Sequence, residues 1–324
     1  MRTVIALGVN LIPDGEIAEA VHLAQVAERA GFSRCRIYDE GLVTHDVHVV
    51  SAAVLQATEQ LIVGPGITNP YTRHPAQTAT ALASLHELSG GRVSAGFGPG
   101  GSLTLAPLGL ARRTPLAYLE ELITVCRGLW SGEAIDFVGS TVQLSSARLG
   151  SGTAHIPIWI AGRGPRVLAL GGRRADGVML DFLHEAVLGE AVSTVTAAAS
   201  SVGREVALSY STSIVMCDAD LEAVRPHMTY RLVDSPSLVK EQIGLDGASE
   251  SLIRSALADG LEAAAEHVRD EWVLPFVIHG SPAECSSQLA SIIERHGFSE
   301  FLLPVFDMDD TADYIERVGS MFSV

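Results

Sequence analysis

Residues 61–88 read LIVGPGITNPYTRHPAQTATALASLHEL, and this one strand–connection–helix unit sets the pattern for the whole chain. The apolar run at 61–64 has strand character, and the segment from Pro75 to Leu88 reads as a helix. Its proline falls in the first turn, where the missing N–H has no helical partner to lose. Between them lie glycines, prolines and the pairs Thr68-Asn69 and Arg73-His74. A strand-to-helix turn needs only about four residues. So constrained a link after a buried strand points to a task besides turning.

The unit recurs on both sides. Upstream, TVIALGV (3–9) is a strand leading to a helix over 16–30 that Gly31 closes. RCRIYD (34–39) is a second strand, followed by a helix over 47–58. Downstream, RVSAGFG (92–98) is a fourth strand, then a glycine-rich loop and a helix over 115–130. EAIDFVGSTVQLSS (133–146) breaks the rhythm as a hairpin turning at Gly139-Ser140. IPIWIAG (156–162), DGVMLD (176–181) and VALSYSTSIVMC (206–217) resume it as strands five to seven, with helices over 165–173 and 184–201. A long helical stretch interrupted near Pro226, Pro236 and Gly260 leads to a helix over 281–297 and an eighth strand, EFLLPVF (300–306). Eight strands separated by helices predict an α/β fold, a single (β/α)8 TIM barrel over 1–324. The hairpin after helix four and the extra helices after strand seven are insertions. An open doubly wound sheet is the alternative, but no GxGxxG opens the first helix.

Composition narrows the function. A formal net charge of −16 opposes nucleic acid as a partner, because phosphate backbones demand a basic footprint. It permits a small anionic ligand, which helix N-termini bind locally. With 47% hydrophobic and 19% charged residues the chain can bury a large core. No signal peptide and no membrane-spanning run is legible, so a cytoplasmic protein with no membrane partner is expected. Cys35, Cys126, Cys217 and Cys285 lack metal-ligand spacing and read as reduced thiols, and no metal is expected.

A barrel of this kind carries its chemistry at the C-terminal ends of its strands. That rule selects Val9, Asn10 and Leu11 after strand one, Asp39 and Glu40 after strand two, and the connection after strand three. It also selects GFGPGG (96–101) after strand four, AGRGPR (161–166) after strand five, and Asp181 at the end of strand six. The two glycine-rich loops, with Gly96, Gly98, Pro99 and Gly100 in one and Ala161, Gly162, Arg163 and Gly164 in the other, expose N–H groups suited to an anion. Glycine turns are also ordinary loop punctuation. Asp39-Glu40 reads either as an acid/base pair or as a rim cap. His45 and His48 stand three apart, too few for a metal site. Neither a nucleophile elbow nor a P-loop is present.

GITNPYTRHP, GFGPGGS with the following LG and R-x-x-P segment, and IPIWIAG…ADGVML together resemble the luciferase-like flavin and deazaflavin oxidoreductases along almost the whole chain. The branch resembling methylenetetrahydromethanopterin reductase, which uses coenzyme F420, is the most similar. The resemblance implies a cis peptide at Gly66–Ile67 behind the deazaflavin ring, with Thr68 and Asn69 beside the ring or its side chain and Asp39 touching the cofactor. It places the glycine loops near the side chain and phosphate, with Gly162, Arg163 and Gly164 at the phosphate. It implies hydride transfer at ring carbon five to or from a small organic substrate, and a homodimer. Where reductase-type relatives carry glutamate after strand one and Asp-His after strand two, this chain has Asn10 and Asp39-Glu40, so proton transfer is assigned to Glu40 or Asp39. An FMN-dependent monooxygenase and a non-catalytic cofactor-binding relative are the alternatives.

Overall fold

The computed structural model describes residues 5–306 and 310–322. Its centre is a barrel of eight parallel strands: β1 (Ala6–Leu11), β2 (Arg34–Ile37), β3 (Ile62–Pro65), β4 (Ala95–Phe97), β5 (Ile158–Ala161), β6 (Gly177–Asp181), β7 (Ala207–Ser211) and β8 (Glu300–Val305). They lie side by side as β3-β2-β1-β8-β7-β6-β5-β4. Bridges at Val63–Val93 and Thr68–Phe97 join β3 to β4 and close the ring. Parallel neighbours need crossover connections, and helices supply them.

Period-two alternation sorts the side chains. Leu7, Val9 and Leu11 of β1 and Cys35 and Ile37 of β2 are buried against the surrounding helices. Residues between them, Asn10 and Arg36, face the barrel axis. There the Arg36 guanidinium donates to Glu300 at 3.0 Å, both side chains being almost fully buried. It also lies 4.7 Å from the Trp159 ring centroid. A charge so deeply placed persists only when paired, and β8 supplies the partner to β2.

Local chemistry fixes the helix ends. Pro75 opens the helix Pro75–Leu88, and the His74 imidazole accepts from the Ala76 N–H at 3.2 Å as its cap. Pro115 opens Pro115–Trp130 in the same way. From that helix Glu121 reaches the hairpin (Ile135–Val138 with Gln143–Ala147) and accepts from the backbone and hydroxyls of Ser140 and Thr141. Burial alone would push its pKa up, but these hydrogen bonds together outweigh it and hold the value down at about 2.

Between β7 and β8 the helices Asp218–Val233, Ser237–Ile243, Gly247–Ala256 and Leu261–Ala265 build a second apolar cluster. Val224, Met228, Ile253 and Trp272 form it together with Phe182 and Phe306, the residues that directly follow β6 and β8. The insertion is therefore seated on the C-terminal rim. Among the described residues no helix is long and apolar enough to cross a membrane.

Several strands are trimmed at their ends relative to the sequence expectation, and two differ by more than that. The first lies at Ala6–Leu11 rather than 3–9, so Val9, Asn10 and Leu11 are inside it and not beyond it; residues 3 and 4 fall outside the described residues. The expected strand over 206–217 leaves the barrel after Ser211 and resumes as Ile214–Val215, paired with Ile278–His279. The Thr212 hydroxyl donates to the Phe276 carbonyl at 2.6 Å, which draws the chain toward the insertion.

Candidate active site

The connection after β3 is the centre of the rim. The Gly66–Ile67 peptide is cis. The Gly66 carbonyl accepts from the Asn10 amide at 2.8 Å. Thr68 N–H donates to the Gly96 carbonyl and Gly98 N–H to the Thr68 carbonyl, each at 2.9 Å, which ties the bulge to β4. The Thr68 hydroxyl donates to Asp39 at 2.5 Å, so Thr68 and Asp39 form one unit across the tops of β2 and β3. Asn69 is buried, and its side-chain Oδ1 accepts from Tyr71 and Thr72 N–H in a local turn. Arg73 pairs with Asp46 at the start of helix Val47–Ala57, and His74 caps the next helix; both hold the loop.

Glu40 stands beside this unit. Its carboxylate accepts from Thr104 Oγ1 at 2.6 Å and its N–H donates to Thr44. Burial pushes its pKa up; the Thr104 hydrogen bond opposes this, Asp39 adds to it, and Arg231 opposes it. A half-buried carboxyl with a raised pKa can hold a proton at the mouth of a barrel.

The glycine loops divide between packing and open space. A Cβ on Gly98 would stand 1.9 Å from Ile67 Cδ1, and one on Gly96 2.1 Å from the Pro65 carbonyl oxygen. Those two glycines let β4 lie against the bulge. Pro99 is half-buried, and Gly100 turns the chain with φ +73° while its carbonyl accepts from Arg112 at 3.1 Å. The second loop is different. After the rim residue Ala161, Gly162 packs on Val167, but the Cβ position of Gly164 has nothing within 4 Å. Gly164 caps the helix Pro165–Arg174; Pro165 has no N–H and the Val167 N–H donates to the Gly164 carbonyl at 2.9 Å, which leaves the Arg166 N–H as the approachable donor of the first turn. Arg163 reaches into the crowded mouth yet keeps surface open to solvent. It makes no hydrogen bond or ion pair among the described residues. Burial and the nearby Arg231 cation lower its pKa.

Asp181 is fully engaged: Ser211 donates to one oxygen at 3.1 Å and Arg231 to the other at 3.0 Å. It locks the insertion helix to the rim while its side chain stays a third exposed. Arg231 also lies over the Phe182 ring at 4.0 Å. One turn earlier His227 stacks on Phe306 with centroids 3.8 Å apart, and burial, then Arg231, brings its pKa down to about 4. Tyr38 completes the wall, beside Asn10, Glu40, Asp181 and Arg231. Burial first, then Asp181, pushes its phenol pKa strongly up. Sequence reading missed Tyr38, Thr104, His227 and Arg231. The four-residue spacing of His227 and Arg231 put them on one helix face, but nothing local said that this face meets the rim.

The rim thus carries a bulge with a threonine–aspartate unit at one side, and at the other a helix start beside Arg163, whose nearest carboxylates are Asp181 and Asp234. A groove of about 530 Å³ between the helices Glu185–Ser200 and Pro282–His296 contains none of these residues. Among the described residues no cluster of three His, Cys, Asp or Glu could hold a metal ion.

Known proteins show the same arrangement of chain. The 5,10-methylenetetrahydromethanopterin reductase of Methanolobus tindarius is 29% identical over 298 residues, 90% of this chain and 91% of that one. The F420-dependent glucose-6-phosphate dehydrogenase of Nakamurella multipartita is 34% identical over 172 residues, about half of each chain (49% and 51%). The structure of the coenzyme F420 dependent tetrahydromethanopterin reductase from Methanopyrus kandleri superimposes with a TM-score of 0.88 at 26% identity and 97% coverage of both chains. The luciferase-like monooxygenase family matches residues 3–300, almost from the start of β1 to the start of β8, and the chain belongs to that family.

Proposed function

We propose that this protein is a coenzyme F420-dependent oxidoreductase acting on a small organic substrate, with the whole chain working as one luciferase-like barrel unit. The observation that carries it is the bulge at 66–69, tied to β4 on one side and to Asp39 through the 2.5 Å Thr68 hydrogen bond on the other. Relatives whose names state F420 dependence support the cofactor. When bound, a deazaflavin supplies a ring carbon that gives or takes a hydride.

The chain's own residues then have definite tasks. Gly66, Ile67, Thr68 and Asn69 back the ring, and Thr68 keeps Asp39 in a single orientation beside it. Gly96 and Gly98 act through packing, by holding the bulge against β4. Gly162, Arg163 and Gly164, with the start of the helix Pro165–Arg174, receive the phosphate. Asp181 contributes by fixing Arg231. Glu40 holds the proton that hydride chemistry requires, because burial favours its neutral form. His227 and Arg231 present the insertion to the substrate. The copies pair as a homodimer in the cytoplasm.

Titration of the purified protein with F420 and with FMN, followed by fluorescence, tests this. Saturable F420 binding with little FMN affinity is expected. Tight FMN binding without F420 binding would transfer the site to flavin monooxygenase chemistry.

A further inference from the structure

We propose that Asn10 is a positioning residue: its side-chain amide fixes the Gly66 carbonyl and thereby the face that residues 66–69 present to the bound ring. The inference rests on the cofactor reading above. The other ties of the segment come from its flanks. Gly66 N–H donates to Ile37 at 2.7 Å, Thr68 is bound to Asp39 and β4, and Asn69 to its own turn. Among the described residues only Asn10 reaches the Gly66 carbonyl from the barrel axis, at 2.8 Å and buried, from 56 residues earlier in the chain. The floor there has no slack. A Cβ on Gly66 would stand 2.4 Å from Arg36 Cβ and 2.8 Å from Asn10 Oδ1.

The contact demands a donor. A carbonyl oxygen accepts only, so its partner must donate, and of the two ends of Asn10 only Nδ2 can. The Oδ1 end is buried without a well-formed hydrogen bond among the described residues, and the Tyr38 phenol lies against the amide, so the donor end carries the contact to Gly66. A carboxylate at this position would set two acceptors against each other. A protonated carboxyl would restore a donor. The charged and titratable groups around position 10 are Arg36, Tyr38 and Glu40 from β2 and its end, and Glu300 from β8. Arg36 and Glu300 neutralise each other.

The test compares wild type, Asn10→Asp and Asn10→Leu in F420 titrations at mildly alkaline and mildly acidic pH, each normalised to wild type at that pH. Both variants should bind at least about tenfold more weakly at alkaline pH, the scale of one buried hydrogen bond. Asn10→Asp should recover in acid, as its buried carboxyl takes up a proton, and Asn10→Leu should not. Wild-type affinity in either variant at alkaline pH, or equal behaviour of the two in acid, overturns the assignment. Should the variants fail to fold, hydrogen exchange of the Asn10 side-chain amide in ¹⁵N-labelled wild type decides. Strong protection supports the clamp and free exchange overturns it. That measurement needs no ligand, so failure of wild type to bind F420 would reject the cofactor and leave the clamp to be judged by exchange.

Discussion

Replacing Gly96 by alanine probes the point where β3 and β4 close the barrel. The new Cβ would stand 2.1 Å from the Pro65 carbonyl oxygen, 3.1 Å from its carbon and 3.3 Å from Ile67 Cγ2. The first two are backbone atoms held in place by the seam, so no side-chain rotation relieves the clash. Overpacking a core costs about 1–3 kcal/mol, and an obstacle made of backbone puts this site at the upper end. Unfolding entropy of ~2.1 cal/mol/K per residue, over 324 residues, amounts to ~0.7 kcal/mol/K. A loss of ~3 kcal/mol then lowers Tm by roughly 4 °C. Scanning calorimetry at a fixed scan rate reads this directly. Gly164→Ala is the matched control, because nothing lies within 4 Å of its Cβ position and its backbone is extended. It should melt with wild type yet bind F420 more weakly. A Gly96→Ala protein that melts with wild type would refute the close approach. Equal loss in Gly164→Ala would show that the effect belongs to glycine and not to the seam.

Two further outcomes follow from the charges. Glu300→Gln leaves the buried Arg36 uncompensated and should cost about 3–5 kcal/mol in urea unfolding, whereas the double change Arg36→Met, Glu300→Leu should cost less; equal losses would mean the pair is not buried as a unit. Glu40 holds its proton more tightly folded than unfolded, so its stabilising effect is complete below the ordinary glutamate pKa of 4.5 and is lost as pH rises through the raised folded value. Glu40→Gln should therefore gain in Tm relative to wild type as pH rises through that window, and should lose most turnover; unchanged turnover would remove Glu40 from proton transfer.

The barrel was largely legible because its signals are local. Proline at the first turn marks Pro75 and Pro115, and glycine after the last turn marks Gly31, so those helices fall within a residue of expectation. Strand limits were less legible. The apolar alternation of β1 runs on through Leu11, and the Ser-Thr-Ser run at 211–213 suits a strand whether or not it stays in the sheet. At the site, the strand-end rule reached Asp39, Glu40 and the bulge, since topology alone puts them on one rim. It read Gly96 and Gly98 as ligand positions, and it could not see that their missing side chains also make room for the Pro65 carbonyl and for Ile67 Cδ1. It had no access to Arg231 and His227, whose place depends on how an insertion folds back over the barrel.

The buried Arg36–Glu300 pair has one more consequence. These residues are 264 positions apart, on strands made early and late in synthesis, and the outer face of β8, made of Phe301, Leu303 and Val305, is wholly apolar. Were β8 to slip by one residue, Phe301 would turn toward the axis and the Glu300 carboxylate would enter the oily layer under the helices. Arg36 would lose its counter-charge at the same moment. A misaligned barrel thus incurs two unpaired buried charges at once, several kcal/mol each. The pair works as a key that admits the last strand in only one alignment.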